Sequence, residues 1–291
     1  VTHRFFAYES AAGPAVAVEA PGRRPADLGA LTGERGAFPD LVPAIERGWL
    51  GAGRRGELEA CLARAGAEAA LPERWRWALL VRRPSKILAL ARNYAAHAAE
   101  SGAAAPDEPV FFAKLANTLV PHEAPVVIPR WLTSRVDHEV ELALIVGRRG
   151  SGIAESAAME HVAGYTILND VTARALQRED QEARRPWLRS KSMDTFGPIG
   201  PYVVPAYAIP DPHALAIALS VNGVERQRSD TGRMVHRIPA VLAAMSRVLT
   251  LEPGDVVSTG TPEGVGPVQD GDVMEATIEG LGTLRNPVTR G

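Results

Sequence analysis

The sequence predicts an α+β domain built mostly of strands, and three observations carry that expectation. The 27 glycines and 23 prolines are spread along 291 residues, which favours many turns joining short elements. The apolar segments are short and do not alternate regularly with long helices, which argues against a doubly wound sheet. Asn222-Gly223, lying between two strand-like runs, is the strongest hairpin signal in the chain, because both residues tolerate positive φ.

In chain order, His3–Tyr8 and Ala15–Glu19 read as strands around a turn at Gly13-Pro14. Residues 40–70 read as helical, with Leu58, Leu62 and Ala65 at three- and four-residue steps and Pro72 closing the segment. Residues 1–75 are therefore expected to form a small N-terminal α+β domain, and 76–291 a larger one whose pattern starts at Pro84. Within the larger part, Lys86–Ala91, Val110–Lys114, Val126–Ile128, Glu139–Val146 and Val162–Leu168 read as strands, with a helical turn or two over Asn93–Glu100. Thr172–Glu182 reads as a charged helix and Ile238–Leu249 as an amphipathic one. Leu215–Val221, Val224–Arg228, Val256–Thr259, Val273–Ile278 and a last strand near Leu284 complete the domain.

Composition narrows the class. Hydrophobic residues make up 46% and charged residues 23%, enough for a sizeable core and against wholesale disorder. A net charge of −2 gives no footprint for nucleic acid or acidic membranes. The single cysteine, Cys61, excludes an intramolecular disulfide and a Cys-rich zinc site, and its helical surroundings suggest a buried structural thiol. No stretch approaches the ~18 apolar residues of a membrane span, and the N-terminus lacks the order of a signal peptide. The expectation is a cytoplasmic protein with neither nucleic-acid nor membrane partners.

The chemistry concentrates in carboxylates. In Asp137-His138-Glu139-Val140-Glu141-Leu142, alternation along a strand places Glu139 and Glu141 on one face. Like charges there repel, and a cation between them reverses the sign of the interaction; the plainer alternative is a solvated strand face. Val162–Leu168 ends in Asn169-Asp170 just before a helix, so Asp170 is either an N-cap or a third ligand at a strand end. Three carboxylates without cysteine make a hard oxygen site, suited to Mg²⁺, Mn²⁺ or Ca²⁺ and poorly to zinc.

Several ordered segments resemble the fumarylacetoacetate hydrolase superfamily, over most of residues 84–288. They are Ala91-Arg92-Asn93-Tyr94 leading to His97, Phe111-Phe112-Ala113-Lys114, the Asp137–Gly147 run, and Gly164 through Arg174. Lys191-Ser192-Met193-Asp194-Thr195-Phe196-Gly197-Pro198 and Thr259 through Gly266 follow in the family's order. The resemblance implies that family's mixed β-sandwich roll, a homodimer, and a small 2-oxo acid as substrate. It implies Glu139, Glu141 and Asp170 as ligands of Mg²⁺ or Mn²⁺, and His97 with Glu100 as a general-base pair. A shared helix face for residues three apart agrees with that pair. It also implies Lys191 as a group that stabilises developing negative charge, and Arg174, Gln177 and Thr261 as substrate contacts. On the residues alone, Arg174 and Gln177 read as solvent-exposed, Lys191 as part of a solvated loop, and the other six histidines as structural.

The implied reaction is hydrolysis of a carbon–carbon bond in an acylpyruvate-like 1,3-dioxo acid. Decarboxylation of an oxaloacetate-like acid and isomerisation of a 2-hydroxyhepta-2,4-diene-1,7-dioate-like acid are the alternatives on the same residues, and a catalytically silent binding protein is a third from another class. The chain departs from its relatives where Ala91 replaces the usual glycine, and at Asn117 and Pro121-His122-Glu123. Those departures are expected to reshape the substrate-facing loop.

Overall fold

A computed structural model describes residues 2–100 and 102–291. The dominant sheet runs, edge to edge, through Ala26–Asp27, Gly13–Glu19, Arg4–Ser10, Gly197–Pro205, Val162–Asn169, Val140–Val146, Val256–Ser258, Ile87–Leu90 and Phe111–Lys114. A five-stranded sheet orders Val224–Asp230, Ala216–Val221, Val273–Ile278, Gly282–Arg290 and Val126–Ile128. Thr172–Ala173, Val136–His138 and Gly266–Val268 form a third, small sheet. The mostly-β α+β expectation is met.

Val140–Val146 sits in the middle of the large sheet, and all seven of its residues are buried. The reason is that both faces are covered. Leu142, Leu144 and Val146 enter a core shared with the five-stranded sheet and the helix Ile238–Val248. Ala143 and Ile145 enter a second core with Phe5, Val18, Leu41, Trp49 and Leu58 from the first 75 residues. Such a strand reads as a continuous apolar run instead of an alternating one. The N-terminal strands join this sheet directly, through Phe5 opposite Val203. Phe6, Trp75, Trp77 and Tyr202 stack around that joint, with ring centroids of neighbouring pairs 5.1 to 5.7 Å apart.

Most expected elements are present with small boundary shifts. The hairpin turns at Asn222 and Gly223, with φ of 54° and 76°. In Ile238–Val248, Ile238, Val241, Leu242 and Met245 give the buried stripe, and Pro239 in the first turn needs no amide donor. Residues 40–70 are not one helix: Leu41–Glu46, capped by Asp40, and Arg55–Arg64 are separated by a turn at Gly48 and Gly51. Cys61 is partly exposed and free. The strand Gly197–Pro205 has no counterpart in the sequence expectation. Pro198, Pro201 and Pro205 suppress the strand signal, yet it pairs on both sides, with Arg4–Ser10 and with Val162–Asn169 across a register shift near Thr166. Gly164 is needed at that junction, since a Cβ there would lie 2.5 Å from the Val204 carbonyl oxygen.

Candidate metal centre and active-site cleft

Glu141 belongs to the central strand, but Glu139 lies in a one-residue break between Val136–His138 and Val140–Val146. Its backbone is held across the sheet instead. The Glu139 amide donates to Asn169 Oδ1 (2.8 Å), and the Asp170 amide donates to the Glu139 carbonyl (2.8 Å). Two neighbouring strands thereby present the three acids together. Asp170 caps no helix: the chain first forms the short strand Thr172–Ala173, and the helix Arg174–Glu182 begins without a side-chain cap. Glu139, Glu141 and Asp170 are 4%, 1% and 1% exposed. One carboxylate oxygen from each lies within 4.8 Å of the others, a set able to hold one cation.

Basic groups surround two of the three acids. Lys191 Nζ lies 2.8 Å from Glu139 Oε2 and 2.5 Å from Asp170 Oδ2. Lys114 Nζ reaches Asp170 Oδ1 at 2.7 Å and also donates to the Lys191 carbonyl. Arg174 pairs with Glu139 and, through Nε, with Asp137 Oδ2 at 2.8 Å, while its Nη1 donates to Gln177 Oε1 at 2.5 Å. Glu141 has no such cation; its Oε2 accepts from the Ser258 hydroxyl and from the Gly260 amide (2.9 Å).

The titration behaviour follows from this division. Burial would raise the Glu139 carboxyl, but the Lys191 and Arg174 charges override it and hold it well below the usual range. Burial, reinforced by Asp170 and Glu139, pushes the Glu141 carboxyl up to about 8. Burial also works against the Lys191 ammonium, yet Asp170 and Glu139 keep it raised, whereas burial prevails at Lys114 and lowers it. The site thus lacks one positive charge at Glu141. A hard divalent cation would supply that charge, and the all-oxygen donor set fits one.

Glu139 and Glu141 open onto a cleft lined in part by Ala91, Arg92, His97, Phe112, Gln181 and Trp187 along with Arg174, Gln177, Lys191 and Thr261. Lys191 is 2% exposed and Gln177 7%, so neither is the solvated residue that its local sequence suggests. Thr261 is buried; its hydroxyl donates to the Val140 carbonyl (2.8 Å) and accepts from Gln227 Nε2 (2.9 Å). His97 Nδ1 stands 3.6 Å from Glu100 Oε2, beyond hydrogen-bond length. Glu100 instead accepts from the Gly264 amide at 2.9 Å, which ties the helix Ala95–Glu100 to the loop carrying Thr261.

Lys114, Asp137 and Gln227 escaped the sequence reading. Asp137 and Gln227 are buried beside the acids, Asp137 orienting Arg174 and Gln227 linking His138, Val140 and Thr261. Lys114 closes a strand and had only its motif to mark it. Segment 117–123 is absent from the cleft lining, so the expected reshaping is confined to Ala91. Asn117 binds the Ser192 carbonyl and Asp194 from behind, and His122 packs edge-on against Trp77.

Residues 86–289 match the family described as fumarylacetoacetate (FAA) hydrolase, C-terminal. The chain belongs to the fumarylacetoacetate hydrolase family. It is an enzyme of that family, whose members include hydrolases, isomerases and tautomerases. An uncharacterized protein of Pyrococcus abyssi is 48% identical over 206 residues, spanning 71% of this chain and 91% of its own length. The mitochondrial oxaloacetate tautomerase FAHD1 of Bos taurus is 40% identical over 216 residues, 74% of this chain and 94% of its own. The solved maleylpyruvate hydrolase from Sphingobium sp. SYK-6, in complex with manganese(II) ion and pyruvate, superposes with a TM-score of 0.82 at 33% identity, covering 99% of each chain. Among the described residues, no helix is long and apolar enough to cross a membrane.

Proposed function

We propose that this enzyme hydrolyses a carbon–carbon bond in an acylpyruvate-like 2-oxo acid, with Mg²⁺ or Mn²⁺ held by Glu139, Glu141 and Asp170. The observation that carries the proposal is the convergence of these three buried carboxylates, one of them without a cationic partner, beside a cleft lined by Glu139, Glu141 and His97. When bound, the cation supplies Lewis acidity toward the oxygens of a 2-oxo acid.

The remaining roles fall to side chains. His97 takes a proton from water, and the hydroxide oxygen bonds to the distal carbonyl carbon. Glu100 orients the imidazole, closing the present 3.6 Å gap as substrate fills the cleft. Lys191 and Gln177 face the negative charge that gathers on the attacked oxygen, a contribution of roughly 3–4 kcal/mol per donor in other enzymes. The carbon–carbon bond then breaks, its electron pair passes to the methylene carbon, and the proton held by His97 returns there. A carboxylic acid and a shorter 2-oxo acid leave. Arg174 and Thr261 position the substrate.

A second reading, tautomerisation or decarboxylation of an oxaloacetate-like acid, is favoured by the bovine relative, which aligns along 94% of its length. It needs the same base and no attacking water. Acetylpyruvate, maleylpyruvate, oxaloacetate and a 2-hydroxydienedioate assayed side by side with Mg²⁺ separate the readings. Release of pyruvate from the first two supports hydrolysis. Turnover of oxaloacetate alone replaces it with the second reading, and no turnover of any of the four overturns both. We also propose a homodimer, and a monomer in sedimentation velocity overturns that.

A further inference from the structure

The helix Ile238–Val248 starts without help from its own segment. Arg237, at the N-cap position, makes no side-chain cap bond, and Pro239 has no amide to donate. The first bond of the helix runs from the Val241 amide to the Arg237 carbonyl (3.1 Å), which leaves the Ile238 amide in need of an acceptor. Ile238 is fully buried, so water does not supply one. The acceptor is His213 Nε2, 3.1 Å away on the loop before Ala216–Val221. A backbone amide can only donate, so Nε2 is unprotonated. The ring proton sits on Nδ1, which faces Asp211 Oδ1 at 3.3 Å.

A second proton on the ring reverses this contact. Nε2 becomes a donor aimed at a donor, with a positive charge at the positive end of the helix dipole. The His213 side chain is only 9% exposed. Burial holds its imidazole below the ordinary range; Asp211 pulls it up, and Arg237 at the helix start adds to the lowering. Asp230, beside the neighbouring turn Thr231–Arg233, is engaged by the Gly232 amide at 2.6 Å.

The residues just before Ile238 grip the segment that opens the His97 helix. Met234 forms a bridge with Tyr94, and the Val235 amide donates to the Asn93 carbonyl (2.8 Å). The Asn93 side chain donates to the His236 carbonyl (3.0 Å) and accepts from the His236 amide (2.8 Å). The His236 ring donates from Nε2 to the Pro106 carbonyl (2.9 Å), on the far side of the helix Ala95–Glu100. The Tyr94 carbonyl in turn accepts from the Ala98 amide (3.0 Å), inside that helix's first turn. Met234–Arg237 therefore serves two helices at once, the one that His213 caps and the one that carries His97.

We infer that His213 is a pH-sensitive latch that positions the His97 helix from outside the cleft. Neutral, it caps Ile238–Val248 and keeps Met234–Arg237 in place. Protonated, it releases that stretch and, through it, the turn at Asn93 and Tyr94. The latch does not depend on which acid the cleft takes.

Hydrogen–deuterium exchange of the metal-free full chain at about pH 7.5 and about pH 5.5, corrected for intrinsic exchange rates, tests this. Wild type is compared with His213→Gln, whose amide oxygen accepts at either pH, so that every other titrating group is common to both proteins. In the wild type, protection of peptides covering 234–241 and 93–100 should fall by roughly threefold to tenfold at the lower pH. A single proton gives about tenfold at most over the pH unit below the ordinary imidazole value. In His213→Gln the same peptides should change by less than about twofold, and His213→Leu, with no acceptor, should be loosened at both pH values. Protection of Val140–Val146 unchanged from wild type certifies that the variants are folded. The same pH dependence in wild type and His213→Gln overturns the latch. A wild-type loss confined to 238–241 overturns its reach to the His97 helix.

Discussion

At the floor of the cleft, Glu139 and Asp170 are each gripped by two cations, whereas at its mouth His97 stands 3.6 Å from the nearest carboxylate and Arg92 has no partner among the described residues. The floor is set before any ligand arrives: its ion pairs are buried, and their geometry is fixed by two adjacent strands. The mouth keeps its donors unmatched and its base loosely paired, so ligand binding completes them. The contrast separates holding from reacting, and substitutions can test each side.

The largest effect is expected at the mouth. His97→Ala should lower turnover by about 10²–10⁴-fold, the usual worth of a general base, with Mg²⁺ affinity by calorimetry unchanged within about twofold. A parallel drop in metal affinity would make His97 part of the floor and dissolve the distinction. Lys114→Met breaks a buried pair at the floor and strands part of the Asp170 charge. Urea unfolding should show a loss of about 3–5 kcal/mol; a loss under 1 kcal/mol would mean that Lys191 alone suffices.

Glu141→Gln should weaken Mg²⁺ by about a hundredfold, at least as much as loss of a residue supporting a metal ligand. The smallest effect is one of pH. With its carboxyl raised to about 8, Glu141 carries a proton at neutral pH in the metal-free protein, and the cation must displace it. Mg²⁺ affinity should therefore rise roughly tenfold per pH unit approaching pH 8 and level off above it. The same group makes the metal-free protein less stable as pH climbs from the ordinary carboxyl range through about 8, because the folded state binds the proton more tightly there. Glu141→Gln should flatten both slopes, and a wild-type affinity that is level from pH 6.5 to 8.5 would contradict the assignment.

How much of this was legible in the sequence differs along the same line. The acids could be read because spacing on a strand and position at a strand end are local properties, and the ordered motifs around them supplied the rest. The burial of Lys191 and the ion pairs of Arg174 could not, since a basic residue in a charged stretch looks solvated until the fold brings its partners to it. Lys114 and Arg92 were visible within motifs, but their difference, one matched and one not, exists only once strands distant in sequence are neighbours. The strand Gly197–Pro205 was hidden by its own prolines, of which Pro201 sits where a pairing irregularity spares the missing donor.

The double coverage of Val140–Val146 has a bearing on handling the protein. Ala143, Ile145, Leu168, Val203 and Val256 meet only the core completed by the first 75 residues. Deleting those residues would turn that face of the sheet toward water and, with Arg4–Ser10 gone, leave Gly197–Pro205 without its partner on that side. An apolar face beside an open strand edge invites other chains to stack and pair. A shortened form holding only the matched family region should therefore self-associate.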